Sequence, residues 1–580
     1  MTDGLTFSEL AEAFEQLERT SSRKQLTTIL ADLLRKVEPD AIREVAYLLQ
    51  GRVAPLYEPI EFGLGERSIE KAVGEAYGVD TAEIRRHYER VGDLGLVVAE
   101  LAPESSPQTE LPVRDVFAQL RSIADISGPG SGDRKLSTLR QLLSKLDRLS
   151  SKHLVRIPLG NSRLGVGDAT ILAAFTEARL SGTKADQQVL EEAYNRTSDL
   201  GLLGETLWTH GLDAVRKLQV MVGRPIRPQL AERLPDVPSL LDKLGGTAHA
   251  QQKFDGIRVQ LHVDRSLPEG EQVRLFSRSL ESMTSMFPEL VDGALKQVQA
   301  QTAILDSEAL AYNPLSDEFL PFQETTRRRR KHGVGELSTE LPLKAMVFDV
   351  MYRDGQSLLD KPLMERISIM AEMVRGTEVL QPEKGVVVDD PERLDEIFED
   401  ALERGLEGLV VKRVDSPYQA GARNFNWVKL KRHSRGALED TIDCVLLGYF
   451  VGRGKRVELG VGALLVGVYD ADADDFKSVT KIGTGLSDEQ WREVAERAAP
   501  FRSEQKPARV NSKLIPSVWV EPKIVLEVLA DEITSSPNHT AGYALRFPRV
   551  IRFRDADKRP EDATSLKELL ELFNAQRNRA

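Results

Sequence analysis

A chain of 580 residues with a single cysteine, Cys444, has no means of building a disulfide framework or a four-cysteine zinc site within itself. Cys444 is expected to be a small buried apolar residue instead. Its apolar run, "CVLLGYFV", is too short to cross a bilayer as a helix. The opening "MTDGLTFSEL" has neither a basic flank nor an apolar stretch of the secretory kind, so a soluble intracellular protein is expected, cytoplasmic or nucleoid-associated. A basic surplus is missing as well. Lys and Arg number 78 against 90 Asp and Glu, a net charge of −12, which argues against indiscriminate nucleic-acid binding but leaves room for basic faces.

What is present is ordinary globular composition, 41% hydrophobic and 29% charged, at a length that suits three or four domains. The first stretch, to about residue 218, reads as successive amphipathic helices. Thr6 and Glu9 form a capping-box pattern ahead of Leu10, Phe14 and Leu17, and Leu26, Ile29, Leu30, Leu33 and Leu34 follow at helical spacing. Two pairs of segments echo one another in the same order, "GLGERSIEKAV" with "GVGDATILAAF" and "GDLGLVVAEL" with "SDLGLLGETL", which implies a duplicated helical unit. Pro225, Pro228, Pro235 and Pro238 then mark an extended linker.

Beyond it, strand-like alternation is interleaved with helical segments to about Arg432, an α+β pattern. From about Leu438, short strands with Gly-rich turns and one helix near "SDEQWREVAERAA" suit a small barrel such as an OB-fold, with a sandwich as the alternative.

The chemistry centres on "QQKFDGIRVQ", where Lys253 stands in a turn between two alternating stretches. A lysine nucleophile must be deprotonated, must face an electrophile and must have the developing charge held by cations or metal. The pattern K-x-D-G-x-R arises by chance in about 1% of chains this long, so it is not decisive alone. It resembles motif I of the covalent nucleotidyltransferases, the DNA ligases, RNA ligases and mRNA capping enzymes. The superfamily's other motifs have counterparts downstream in the same order: "FSRSLESMT", "ILDSEAL", "KAMVFDVMY", "EGLVVKR", "NWVKLKR" and "LRFPRVIRFRDADKRPEDAT". "RPIRPQLA", "RLGVGDATIL", "PFQETTRRRRKH" and "VLEVLADEITSSPNHTAGYALRFPR" narrow the likeness to ATP-dependent DNA ligases of the archaeal and eukaryotic replicative type, over nearly the whole chain.

That resemblance implies a helical DNA-binding domain (1–218), an adenylation domain (219–432) and an OB-fold domain (433–580). It implies that Lys253 takes AMP from ATP and passes it to the 5′-phosphate of a nick, which the 3′-hydroxyl then attacks. Glu308 and Glu407 are the implied ligands of Mg²⁺, with Mn²⁺ as a substitute. Gln251, Arg258, Arg278, Glu308, Phe348, Arg423, Lys429 and Lys431 are the implied nucleotide contacts, with Phe348 against the base. Lys412 is a further phosphate candidate, and Asp306 is expected to be structural. Lys429 and Lys431 alternate on a presumed strand and so share a face.

Two positions depart from the family pattern. Gln251 stands where glutamate is usual, and an amide can either accept or donate, which leaves ATP-versus-GTP selection open. Motif VI reads "RFRDADK", so Lys558 has two candidate partners, Arg552 and Arg554. The run Arg327–Arg330 could track a DNA backbone or be paired internally. Nicked duplex DNA is the implied partner, with a monomeric enzyme and no membrane. A sliding clamp is a further partner that the family suggests, although no clamp-binding box stands out. The alternatives are an mRNA capping guanylyltransferase and a catalytically silent DNA-binding scaffold; an NAD⁺-dependent ligase is disfavoured because its zinc cysteines are lacking. Reorientation of the OB domain between steps would use the proline-rich linker and "KRHSRGALED" as hinges.

Overall fold

The structure is a computed structural model that describes residues 4–103, 110–233, 237–313, 319–320, 322–330, 333–403, 406–431, 440–451, 460–483, 486, 488–530, 532–546 and 548–577. It has a helical N-terminal domain, a central two-sheet domain and a C-terminal domain of curled sheet.

Thirteen helices between Phe7 and Arg216 build the first domain among the described residues. The capping box at Thr6 forms: its hydroxyl accepts from Glu9 N at 3.3 Å, and its own N–H donates to Glu9 Oε2 at 3.0 Å. Leu10, Phe14 and Leu17 on that helix are buried, as their spacing requires.

The internal duplication is real, and its two halves exchange partners. Helices Glu66–Tyr77 and Asp168–Arg179 both start at a glycine N-cap two residues after a left-handed glycine, Gly63 and Gly165. Helices Leu94–Leu101 and Leu200–His210 both start at an aspartate N-cap preceded by a left-handed residue, Gly92 (φ 72°) and Ser198 (φ 51°). Glu66–Tyr77 packs on Ser131–Leu143 of the second half, and Asp168–Arg179 packs on Arg23–Arg35 of the first. Each capping aspartate is locked by the opposite half: Asp93 by Arg156, and Asp199 by the hydroxyls of Tyr47 and Tyr57, both at 2.8 Å.

The central domain holds two sheets. One runs β1 (Leu230–Arg233), β11 (Arg423–Lys431), β10 (Gly408–Arg413), β2 (Ala248–Lys253) and β9 (Val386–Val388). The other runs β4 (Val273–Ser277), β3 (Ile257–Asp264), β5 (Thr302–Ala311), β6 (Leu343–Arg353) and β7 (Gln356–Ser357), with β8 (Leu380–Pro382) beside β6. The proline-rich stretch is more than the expected linker. Leu230–Arg233 joins the sheet edge parallel to β11, and Ile226 is bonded through its N–H to Gln260 Oε1 at 2.7 Å. The four residues of β1 contain no proline, so the stretch can extend and still enter a ladder. The second expected hinge lies, from 432 to 439, outside the described residues.

In the C-terminal domain the long strand β12 (Ile442–Phe450) pairs with β13 (Ala463–Asp470) on one side. On the other it pairs with two different strands, Val525–Leu529 at its start and Val518–Val520 at its end. The sheet therefore curls into a half-barrel of the OB-fold kind, with Cys444 in its core. The expected helix is present at Asp488–Ala498, and a second, Leu566–Arg577, closes the chain. The sequence reading passed over that last helix, although Ser565 and Glu568 ahead of an apolar run are a capping-box signature.

The three domains touch. A side chain on Gly165 would stand 2.3 Å from the Ala508 methyl of the OB domain, and Thr170 donates to Asp474 at 2.9 Å.

Ser198 holds a left-handed conformation that costs a non-glycine residue about 1–2 kcal/mol, and its buried hydroxyl has no partner among the described residues. Its twin in the duplication is Gly92. Ser198→Gly is expected to stabilise the helical domain by about 0.5–1 kcal/mol after the entropy of the added glycine is subtracted, read as a rise in the midpoint of its thermal transition.

Candidate active site

Register places the chemistry. In the antiparallel pair β2/β10, His249, Gln251 and Lys253 stand opposite Lys412, Val410 and Gly408. On the other side of β10, the same three residues stand opposite Trp427, Lys429 and Lys431. Alternate residues of three strands therefore share one face of the sheet. Gly408 (φ 137°) is needed there, because a Cβ would sit 2.1 Å from Leu430 O and its backbone conformation excludes other residues. It brings Glu407 beside Lys253, with Glu407 N donating to Lys253 O at 3.2 Å. Gly256 serves a close approach of backbone rather than a left-handed turn. Its φ is not left-handed, but a Cβ would stand 2.4 Å from Ala309 O, so the glycine allows β5 to approach.

β5 supplies Glu308 and β6 supplies Phe348, while Arg278 follows β4 directly. Facing them from the OB domain are Asp443, Arg554, Lys558, Asp562 and Glu568. Together they enclose a cavity of about 190 Å³.

Lys253 forms an ion pair with Glu407. Glu308 accepts from Gly256 N at 3.2 Å, and burial pushes its carboxyl up to about 7 against the pull of Lys253 and Arg258. Asp255 is raised too, by burial and by Glu407. Asp255, Glu308 and Glu407 thus act on one lysine in a poorly solvated cavity, and carboxylate oxygens are the ligand type that a hard divalent cation takes.

Gln251 is held in one orientation. Its amide nitrogen donates to two backbone carbonyls, Phe348 O at 3.2 Å and Glu383 O at 2.7 Å. Its Oε1 is buried in the cavity wall with no partner among the described residues. Rotation of the amide would set oxygen against both carbonyls, so the orientation of the amide is fixed. Lys412 is buried 3.9 Å above the Trp427 ring and donates to Phe348 O, and burial lowers its ammonium to about 8. The ring of Phe348 lines the cavity, with the Arg258 guanidinium 5.4 Å from its centre.

Arg258 lines the cavity with its guanidinium engaged by Asp306 (3.0 and 2.6 Å) and by Gln229 O at 2.9 Å. Asp306 also accepts from Tyr418 at 2.9 Å. Arg278 stands 3.8 Å from Asp562. Arg423 pairs with Glu568, as does Lys429 at 3.2 Å. Lys431 ends β11, and its side chain lies outside what is described. Of the two motif VI arginines, Arg554 lines the cavity beside Lys558, whereas Arg552 reaches Asp255 at 3.6 Å. Lys558 pairs with Asp443, and burial takes its ammonium down to about 7.

The arginine run follows the short helix Phe322–Thr326 and is largely paired internally: Arg327 with Glu324 (2.6 Å), buried Arg328 with Glu289 (2.5 Å) and Arg329 with Glu281 (3.5 Å). Lys331 and His332 lie outside the described residues. Tyr418, Asp443 and Glu568 were missed by sequence reasoning. Tyr418 and Asp443 carry no local signal, and Glu568 had only its capping-box spacing.

Three family models match: "ATP dependent DNA ligase domain" over residues 228–431, "DNA ligase N terminus" over 6–176 and "ATP dependent DNA ligase C terminal region" over 458–558. The chain is 44% identical to a probable DNA ligase of Dictyoglomus turgidum over 580 residues, covering 99% of this chain and 98% of that one. The chain belongs to the ATP-dependent DNA ligase family. Its similarity to the DNA ligases of Hyperthermus butylicus (39%) and Sulfolobus acidocaldarius (38%) likewise spans 99% of this chain and 98% of each relative. The enzyme is a nick-sealing DNA ligase. The capping and scaffold alternatives find no support, since the end-to-end likeness includes the helical domain. No helix among the described residues is long and apolar enough to cross a membrane.

Asp306→Ala would leave the Arg258 guanidinium in the cavity wall without its carboxylate. The expected cost is about 3–5 kcal/mol, measured by urea denaturation with tryptophan fluorescence at the Trp427 cavity.

Proposed function

We propose that this ligase activates itself at Lys253. The amine attacks the α-phosphorus of ATP, an N–P bond forms, the bond to the bridging oxygen of the β-phosphate breaks, and pyrophosphate leaves. The AMP then passes to the 5′-phosphate of the nick, and attack by the 3′-hydroxyl joins the strand and releases AMP. The observation that carries this reading is the convergence of Lys253, Glu308 and Glu407 with Arg554 and Lys558 of the OB domain on one cavity.

The ammonium of Lys253 is paired with Glu407 and must lose its proton to react. Glu308 and Glu407 are the residues that would hold Mg²⁺, or Mn²⁺ in its place; a bound ion would supply charge neutralisation at the phosphates and would compete with Lys253 for Glu407. Arg278, Arg423, Lys429, Lys431, Arg554 and Lys558 are the cations assigned to phosphate oxygens. Phe348 is assigned to the face of the adenine; Arg258, expected among the direct nucleotide contacts, is engaged by Asp306 and is assigned instead to holding the Phe348 ring in place. The working units are the helical DNA-binding domain (1–218), the adenylation domain (219–432) and the OB-fold domain (433–580).

Gln251 is the reader of the purine 6-position. A fixed acceptor matches the 6-amino group of adenine and opposes the 6-oxo group of guanine, which is itself an acceptor.

Two outcomes are expected. Incubation with α-labelled ATP and Mg²⁺ labels the wild-type protein and leaves Lys253→Ala unlabelled, with loss of nick sealing; labelling of the variant would overturn the assignment. The triphosphate of 2,6-diaminopurine supports labelling, whereas GTP and ITP do so about 100-fold less efficiently or worse, because each sets two acceptors face to face. Gln251→Leu should narrow that gap, which is measured as the ratio of kcat/KM values.

A further inference from the structure

The helix that closes the chain places one carboxylate, Glu568, inside the cavity. Its side chain is 4% exposed. One oxygen, Oε2, accepts from Ser565 N at 3.0 Å, while Glu568 N donates to Ser565 Oγ at 3.2 Å, completing a capping box at the start of Leu566–Arg577. The other oxygen, Oε1, crosses the domain boundary to Arg423 and to Lys429, the latter at 3.2 Å. Burial alone would raise this carboxyl, but Lys429 and Arg423 hold it down to about 2.

Both cations project from β11 into the cavity that holds Lys253. A carboxylate oxygen and a phosphate oxygen are the same kind of acceptor, and each seeks charge-assisted contacts with Lys and Arg. The two oxygens of Glu568 have separate duties, so Oε1 can leave the cations without uncapping the helix.

Resting on the assignment of the cavity to ATP, we propose that Glu568 is a built-in competitor for the phosphates. The OB domain satisfies Arg423 and Lys429 with its own carboxylate, and the triphosphate displaces it. The cations thereby avoid the cost of standing unmatched in a poorly solvated cavity, and the enzyme gives up part of its nucleotide affinity. The contact selects for phosphate, since a nucleoside without phosphates has nothing with which to displace it.

The test uses the full-length protein, with α,β-methylene-ATP and Mg²⁺ titrated calorimetrically into wild type and Glu568→Gln. Glutamine also serves at the third position of a capping box, so the helix start is retained. The variant is expected to bind the analogue about tenfold more tightly, while adenosine binds both proteins equally. Unchanged or weaker binding of the analogue overturns the inference. So does an equal gain for adenosine, which would mark a general loosening of the fold. Should the variant not fold, a crystal structure of wild type with the analogue decides: loss of the Glu568–Lys429 contact supports the inference and its retention overturns it. Labelling of wild type by α-labelled ATP, run alongside, separates the two readings. Without labelling, the assignment of the cavity fails and this inference with it; with labelling but no gain in Glu568→Gln, this inference fails alone.

Discussion

Charge matching in a poorly solvated cavity is the constraint around which the rest of the molecule is arranged. Lys253, Arg278, Arg423, Lys429, Arg554 and Lys558 meet there, and a buried cation without a partner costs several kcal/mol. The protein meets this cost partly within each domain and partly across domain boundaries. Glu407 of the central domain holds Lys253, while Asp562 and Glu568 of the OB domain face Arg278, Arg423 and Lys429. The OB domain supplies carboxylates that match cations of the central domain, so its placement and the neutralisation of the cavity are linked.

The helical domain takes part in the same closed arrangement. Asp168, at the start of one duplicated helix, accepts from Tyr194 and Gln50 within its own domain, and has Arg227 at 3.3 Å and Arg559 of the OB domain at 4.0 Å. Gly165, just before it, abuts Ala508, whereas its counterpart Gly63 meets only the tip of Lys135. Duplication produced two equivalent turns, and one of them packs against the OB domain.

The sheets make the site rigid where the chemistry needs it. Lys253, Gln251 and Lys429 stand on paired strands whose register fixes their spacing, and Gly256 and Gly408 permit approaches that any side chain would block. Phe348 O accepts from both Gln251 and Lys412, so one carbonyl orients an acceptor and seats a cation.

Much of this was legible in the residues. Helical spacing, the Thr6 capping box and the paired Gly-rich segments determined the helical domain, because local periodicity and caps act within a few residues of one another. The order of short motifs marked the family and named most of the cavity wall, because strand alternation carries a motif's residues to one face. What lay beyond the sequence was partnership between distant segments. The orientation of Gln251 depends on Glu383 O, the commitment of Arg258 on Asp306, and the place of Arg554 in the cavity wall on the pairing of the strand Arg549–Phe553 with Val525–Leu529. The pairing of Arg328 and Arg329 depends on Glu289 and Glu281, 39 and 48 residues away in the chain. Glu568 could be read as a helix cap but not as a cavity residue. Hydrogen bonds and ion pairs act at a few ångströms in space, and only the tertiary structure decides which distant groups come that close.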